Sequence, residues 1–198
     1  MRLDPLFKAR SIAVVGASEK PTIGRRLIAS LDRIGFSGSL FPVNPAYPTV
    51  SGRQCYASIA ELPEAPDVAV FCVGHARILD PLQAAAERGA RAAVIYDGGF
   101  AERGAEGRRL QGQVEGICRE AGIALCGPNC MGVLSPHDHS TTYLQELRDP
   151  QGLAGNVGII SQSGAFCISL LTDIRRFGFS HVVSSGNEAV LAAVDYLE

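Results

Sequence analysis

The chain has 198 residues, 46% of them apolar, enough for one hydrophobic core of ordinary size and the start of a second, which argues against a disordered segment. With Lys+Arg 18 against Asp+Glu 20 the net charge is −2, so the basic surplus that a sequence-independent grip on nucleic acid requires is missing. The opening MRLDPLFKARSIAVVG places an acid, a proline and basic residues ahead of a short apolar run, unlike a secretory leader, and no run approaches membrane-spanning length. Six cysteines, at 55, 72, 118, 126, 130 and 167, form no C-x-x-C pair and lie mostly within apolar segments, where a free thiol behaves as a small hydrophobe. The expected setting is a reduced, cytoplasmic one.

Short runs rich in branched aliphatic residues alternate with longer amphipathic ones. SIAVVG (11–16), SLFPV (39–43), DVAVFCV (67–73), AAVIY (92–96) and IALCG (123–127) read as strands, with helices near 23–35, 76–88 and 105–121. This alternation predicts βαβ units in a parallel sheet with right-handed crossovers, and the nearly continuous apolar strands suit helices on both faces. Ligands of such sheets bind beyond the carboxyl ends of the strands. The candidate positions are therefore the turns Gly16-Ala17-Ser18, Asn44-Pro45, Gly74-His75, Asp97-Gly98-Gly99-Phe100 and Gly127-Pro128-Asn129-Cys130. After Gly132 the texture turns polar and aperiodic, which reads as an irregular connector. The pattern then restarts with a strand at 156–160, a Ser-Gln-Ser-Gly turn, a helix at 164–177, and a further strand, turn and helix. Residues 151–198 are too few for a self-sufficient domain, and the expectation is a chain that ends part-way through a second α/β unit. An unfinished sheet with exposed edges should seek a partner, a homo-oligomer being one form of it.

The first turn, VVGASEKPTIGRR, occupies the place of a dinucleotide-binding loop, but its second glycine, Gly24, comes too late for the G-x-G-x-x-G fingerprint. Helix-start amides and the helix dipole favour an anion there; Ser18 offers a hydroxyl, Gly24 a close backbone approach, and Arg25 or Arg26 a forked donor. The alternative is a glycine turn capped by Ser18 or Thr22 with solvated arginines. In a nicotinamide enzyme a carboxylate at the end of the second strand would bind the ribose hydroxyls. Here that strand runs into Asn44-Pro45, leaving room for an extra ribose phosphate and weighing against an NAD(P)-dependent oxidoreductase. His137-Asp138-His139 offers two metal ligands at most and carries no metal prediction.

VVGAS with its later glycine, PVNP (42–45), GFAERGAEG (99–107), GPNCMG (127–132) and SQSGAF (161–166) appear in the same order in the NDP-forming acyl-CoA synthetases. The chain resembles their Rossmann-like CoA-binding domain over residues 1–150 and the first part of their flavodoxin-like second domain over 151–198. The α subunit of succinyl-CoA synthetase is a more distant relative; nearer in pattern are ADP-forming acetate–CoA ligases and fused protein acetyltransferases. The resemblance implies a CoA site with Gly16, Ala17, Ser18, Gly24 and Arg25 near the phosphates, Asn44 and Pro45 beside the nucleotide, and Cys72 and Val73 as a wall. Gly99, Phe100 and Glu102 would follow near the pantetheine path, with Asn129 and Cys130 near the thiol end. Two readings stay open beside these: a rigid Gly127-Pro128-Asn129 turn, and a buried structural thiol at Cys130. Ser161, Ser163 and Gly164 match the turn that in the family faces a phosphorylated histidine; on their own they read as a helix cap.

The family forms acyl-CoA from an acid, CoA and ATP through an acyl phosphate and a phosphohistidine, with ATP, ADP and magnesium handled by an ATP-grasp subunit or domain. None of His75, His137, His139 or His181 matches the family's histidine motif, so the resemblance implies CoA or acyl-CoA binding without turnover by this segment and no catalytic residue within it. A stand-alone CoA-binding regulatory module is the other reading. Two departures from the family pattern are Ala46, where a basic residue is usual, and Gly74-His75, where Pro-Ala is commoner.

Overall fold

The computed structural model describes residues 2–147, 151–172 and 177–197. A short helix α1 (Asp4–Phe7) leads into β1 (Ser11–Val15), α2 (Ile23–Ile34) and β2 (Ser39–Val43). A small hairpin, β3 (Thr49–Val50) and β4 (Arg53–Gln54), precedes β5 (Val68–Phe71), α3 (Leu79–Arg88), β6 (Ala92–Ile95), α4 (Ala105–Ala121) and β7 (Ala124–Cys126). The second part comprises β8 (Gly132–Ser135), β9 (Ser140–Thr141), β10 (Ala154–Ser161), α5 (Gly164–Thr172) and β11 (Phe179–Ser184).

Five parallel strands form the first sheet in the order β2-β1-β5-β6-β7. Their side chains alternate between two cores, as the strand period of two requires. Ile12, Val14, Val68, Val70 and Val94 pack with Leu27, Ile28 and Leu31 of α2 on one face. Ala13, Val15, Ala69, Phe71 and Ile95 pack with Leu82 and Ala85 of α3 and Val114 and Cys118 of α4 on the other. The expected doubly wound sheet is thus in place. The chain runs outward from β1 to β2 and then returns to β5 on the opposite side of β1, so the topological switch point, and the crevice it opens, lies between β1 and β5.

The amino-terminal edge of this sheet is clasped by Asp67. Its carboxylate accepts the Arg10 amide at 2.8 Å and an Arg91 guanidinium N–H, while its own amide donates to the buried Ser11 hydroxyl at 2.9 Å. One side chain therefore ties β1, β5 and β6 together at the end away from the turns.

Two expectations change in the second part. The stretch after Gly132 is irregular only in part: Val133 and Leu134 pair antiparallel with Val183 and Val182 of β11, β9 folds back on β8 through a short 3₁₀ turn, and residues 142–147 then run without helix or strand. The pairing partner lies far along the chain, so no local period announces it. The second sheet, β10-β11-β8-β9, is accordingly mixed, with only β10 and β11 parallel. The last element is a 3₁₀ helix, Ala193–Leu197, in place of the expected α-helix, and residues 173–176 of the helix expected at 164–177 lie outside the described residues. Among the described residues no helix is long and apolar enough to cross a membrane.

Replacing Asp67 by alanine leaves the Arg10 amide and the Arg91 guanidinium without their acceptor, while the backbone bond to Ser11 is retained. Removing a charged acceptor from such a place costs about 2 kcal/mol, and urea unfolding should show this as a lower midpoint at unchanged slope.

Candidate functional site

Each functional turn follows the carboxyl end of a strand, and the turn after β1 is set by steric contact. Gly16 has φ +86°, and a Cβ on it would lie 2.8 Å from the Cys72 carbonyl oxygen and 2.9 Å from Val73 Cγ1. Its amide donates to the Val43 carbonyl at 2.9 Å, and the Cys72 amide donates to Val15 at 2.8 Å, locking the three strand ends together. Gly24 brings the start of α2 against this turn: a Cβ there would stand 3.0 Å from the Gly16 carbonyl oxygen. Thr22, the N-cap of α2, lines the crevice and makes no side-chain capping bond, so the start of the helix is left without a side-chain cap at this place.

Ser18 and Asn44 fix the mouth of this crevice. The Ser18 hydroxyl accepts the Lys20 amide at 3.0 Å and donates to the Tyr47 hydroxyl at 3.2 Å. Asn44 donates through Nδ2 to the Ala17 carbonyl at 2.7 Å while its Oδ1 accepts the Ala46 amide at 3.0 Å, so one amide side chain shapes the turns after β1 and β2 together. Between them opens a cleft of about 680 Å³ whose walls include Gly16, Ser18, Asn44, Pro45, Cys72 and Val73. Seven of the predicted residues, adding Gly24 against the first turn, therefore converge. Ala17 is fully buried behind the turn, its carbonyl taken by Asn44, and is not part of the cleft walls. Arg25 stands apart from the cleft walls: its guanidinium is paired with Glu19, whose carboxylate also accepts the Ser51 amide. Burial pushes the Cys72 thiol up to about 12, which keeps it protonated and apolar in the cleft wall.

A second group of turns continues along the same sheet edge. His75 donates its amide to Asp97 Oδ2 at 2.6 Å and sets Nδ1 2.9 Å from the same oxygen. The Asp97 carbonyl accepts the Asn129 amide at 3.0 Å. Asn129 then donates to Asn187 Oδ1 at 3.2 Å, and Asn187 donates to Glu102 at 2.5 Å. Glu102 also accepts the amides of Gly99 and Phe100, at 2.5 and 3.1 Å. Partial burial favours its neutral form, but the bonds from Asn187 and the two amides outweigh that and hold the carboxyl below the ordinary glutamate range. Phe100 itself is fully buried, leaving only its backbone at this edge.

At Cys130 the buried alternative describes what is seen: the thiol is 5% exposed and points at the Ile95 carbonyl, 3.4 Å away, so it is Asn129 that faces outward at this turn. Ser161 and Ser163 act as caps, Ser161 Oγ accepting the Ser163 amide at 3.1 Å and Ser163 Oγ the Phe166 amide at 3.3 Å. Gly164 opens α5 where a Cβ would lie 2.3 Å from Met131 Cγ. His137 and His139 point at the carbonyls of Gly155 and Ile34, in separate directions. Sequence reasoning did not assign roles to Tyr47 and Asn187. A turn signal at Gly186-Asn187 marked the second; nothing local marked the first.

Because Glu102 has a depressed pKa in the fold, the stability it contributes is present above its ordinary value of 4.5 and is lost as pH falls through the lower, folded value. Wild type should therefore be more stable than Glu102→Gln near neutrality, and the two unfolding midpoints should converge below pH 4.5.

Comparison with known proteins places this geometry. Residues 10–136 match the CoA binding domain family and residues 154–198 the succinyl-CoA ligase like flavodoxin domain. A trans-feruloyl-CoA synthase from an unidentified prokaryote is 37% identical over all of this chain, which spans 29% of that protein. The α subunit of the ADP-forming acetate–CoA ligase I of Pyrococcus furiosus is 34% identical, again over the whole chain and 44% of the relative. Among solved structures, the dinucleotide forming acetyl-coenzyme A synthetase 1 of Ca. Korarchaeum cryptofilum, in complex with phosphate and ADP, superposes with a TM-score of 0.92 at 34% identity, covering 99% of this chain and 42% of that one. The chain spans less than half the length of each of these proteins. It belongs to the CoA-binding domain family, in the two-domain arrangement of the NDP-forming acyl-CoA synthetases.

Proposed function

We propose that the chain is the CoA-binding portion of an acid–CoA ligase that makes acyl-CoA, ADP and phosphate from an acid, CoA and ATP. The observation that carries this reading is the uncapped start of α2 seated by Gly16 and Gly24 at the switch point. Backbone donors fixed there meet a pyrophosphate without further reorganisation. Asn44 and Pro45 then flank the nucleotide, Cys72 and Val73 supply the apolar wall, and the edge formed by Gly99, Glu102 and Asn129 guides the pantetheine arm. Ser161, Ser163 and Gly164 form the turn that would face the phosphoryl-carrying histidine.

In this reading residues 1–150 form the CoA-binding unit, whose strands β8 and β9 extend into the second sheet by pairing with β11, and 151–198 form part of the second unit. This segment binds and orients CoA or acyl-CoA, and ATP, ADP and magnesium are handled by an ATP-grasp subunit or domain. Phosphoryl transfer depends largely on positioning and charge neutralisation, which suits a scaffold of helix starts and fixed turns. The setting is cytoplasmic, and association through the edges of the second sheet is part of the proposal.

Calorimetric titration tests it. CoA should bind saturably and NAD should not, and Ser18→Asp, which sets a carboxylate beside the pyrophosphate, should weaken CoA by roughly tenfold or more. Absence of CoA binding, or equal binding of NAD, would overturn the reading.

A further inference from the structure

The cleft at the switch point contains one cationic side chain. Of the residues that line it, Arg77 is the sole lysine or arginine, and it stands on the turn after β5, in the wall built from the start of α3. Of the cations that follow the first turn, Lys20 is not among the residues lining the cleft and Arg25 is already paired with Glu19. Among the described residues no acidic side chain forms an ion pair with Arg77. Ala46, in the wall from the β2 turn, brings no charge to the same cleft.

Arg77 is exposed, yet the backbone that carries it is held. Its amide donates to the Gly74 carbonyl at 2.9 Å, and the Ile78 amide to the His75 carbonyl at 3.2 Å. Asp97 grips His75 twice, through its backbone amide at 2.6 Å and its ring at 2.9 Å, and the His75 ring meets Phe100 edge-on with centroids 6.3 Å apart. The next charged residue in the wall is Asp80, an acceptor that suits a ribose hydroxyl and repels a phosphate. A phosphate in this part of the cleft therefore has one charged donor to meet.

We infer that Arg77 is the residue of this chain that recognises the ribose phosphate of CoA, with the His75–Asp97 clasp positioning it. The inference rests on the CoA reading above. The pyrophosphate is met by backbone amides at the start of α2, so the nucleoside end extends toward the walls that carry Ala46 and Arg77. There the forked guanidinium can take two phosphate oxygens at once. No other residue lining the cleft favours CoA over its dephosphorylated form by charge, and Asp80 acts in the opposite sense.

The test is calorimetric titration of wild type, Arg77→Ala and the double variant Arg77→Ala/Ala46→Lys with CoA and with 3′-dephospho-CoA. Circular dichroism serves as the check that the exposed substitution leaves the fold intact. Loss of a charged hydrogen-bond donor should weaken CoA by roughly tenfold or more and leave 3′-dephospho-CoA unchanged. A lysine at 46 should restore the preference for CoA, since it returns a cation to the same cleft. If wild type binds CoA but the ratio of the two affinities is the same in Arg77→Ala, Arg77 does not recognise that phosphate and the inference falls while the CoA reading stands. If wild type binds neither ligand, both fall together.

Discussion

The absence of a side chain at Gly16 is the constraint from which the site is built. The turn after β1 must pass so close to β5 that a Cβ would press on the Cys72 carbonyl oxygen at 2.8 Å, and only the bare glycine backbone at φ +86° fits. This contact does more than close a turn. It keeps the ends of β1, β2 and β5 level, so the start of α2, the Asn44 turn and the Cys72 wall open into one crevice. Gly24 extends the same logic to the helix, whose first turn approaches the Gly16 carbonyl and the Ala17 backbone closely and so starts beside the crevice. A side chain at either position would push the helix start away from the strands and scatter the donors.

The two ends of the first sheet are held by different means, and the difference suits the chemistry. At the amino-terminal end one buried carboxylate, Asp67, satisfies backbone and side-chain donors from neighbouring strands and leaves nothing open. At the carboxyl end the polar groups are strung along the surface from His75 through Asp97, Asn129 and Asn187 to Glu102. Asn187 lies beyond β11, so this edge also couples the second sheet to the first. Val133 and Val183 complete that coupling beneath the surface, where they join the core under β1 and β5. The site is therefore shaped by both sheets, although most of its residues come from the first.

Much of the first sheet was legible because its signals are local. The aliphatic runs, the amphipathic stretches between them and the turns that follow the strands each report on nearby residues alone, and the five parallel strands follow from them. Gly16 and Gly24, whose part in the turn is carried by backbone, stand out in the sequence for the same reason. What the sequence could not announce was direction and distance: that Arg25 turns to Glu19, that Cys130 faces inward to the Ile95 carbonyl, or that Tyr47 reaches Ser18. These depend on contacts made only after folding. The segment after Gly132 is the clearest case, because its polar, aperiodic texture hides strands that are fixed by pairing with β11, far along the chain.

A crystal structure of the protein grown with CoA would show whether a phosphate-bearing ligand enters the crevice at the β1–β5 switch point. The pyrophosphate should lie within hydrogen-bonding distance of the amides between Gly16 and the first turn of α2, with the nucleoside between the Asn44 turn and the start of α3. CoA lodged instead in the cleft of about 610 Å³ between Phe7, His181 and Tyr196, on another part of the molecule, would contradict it.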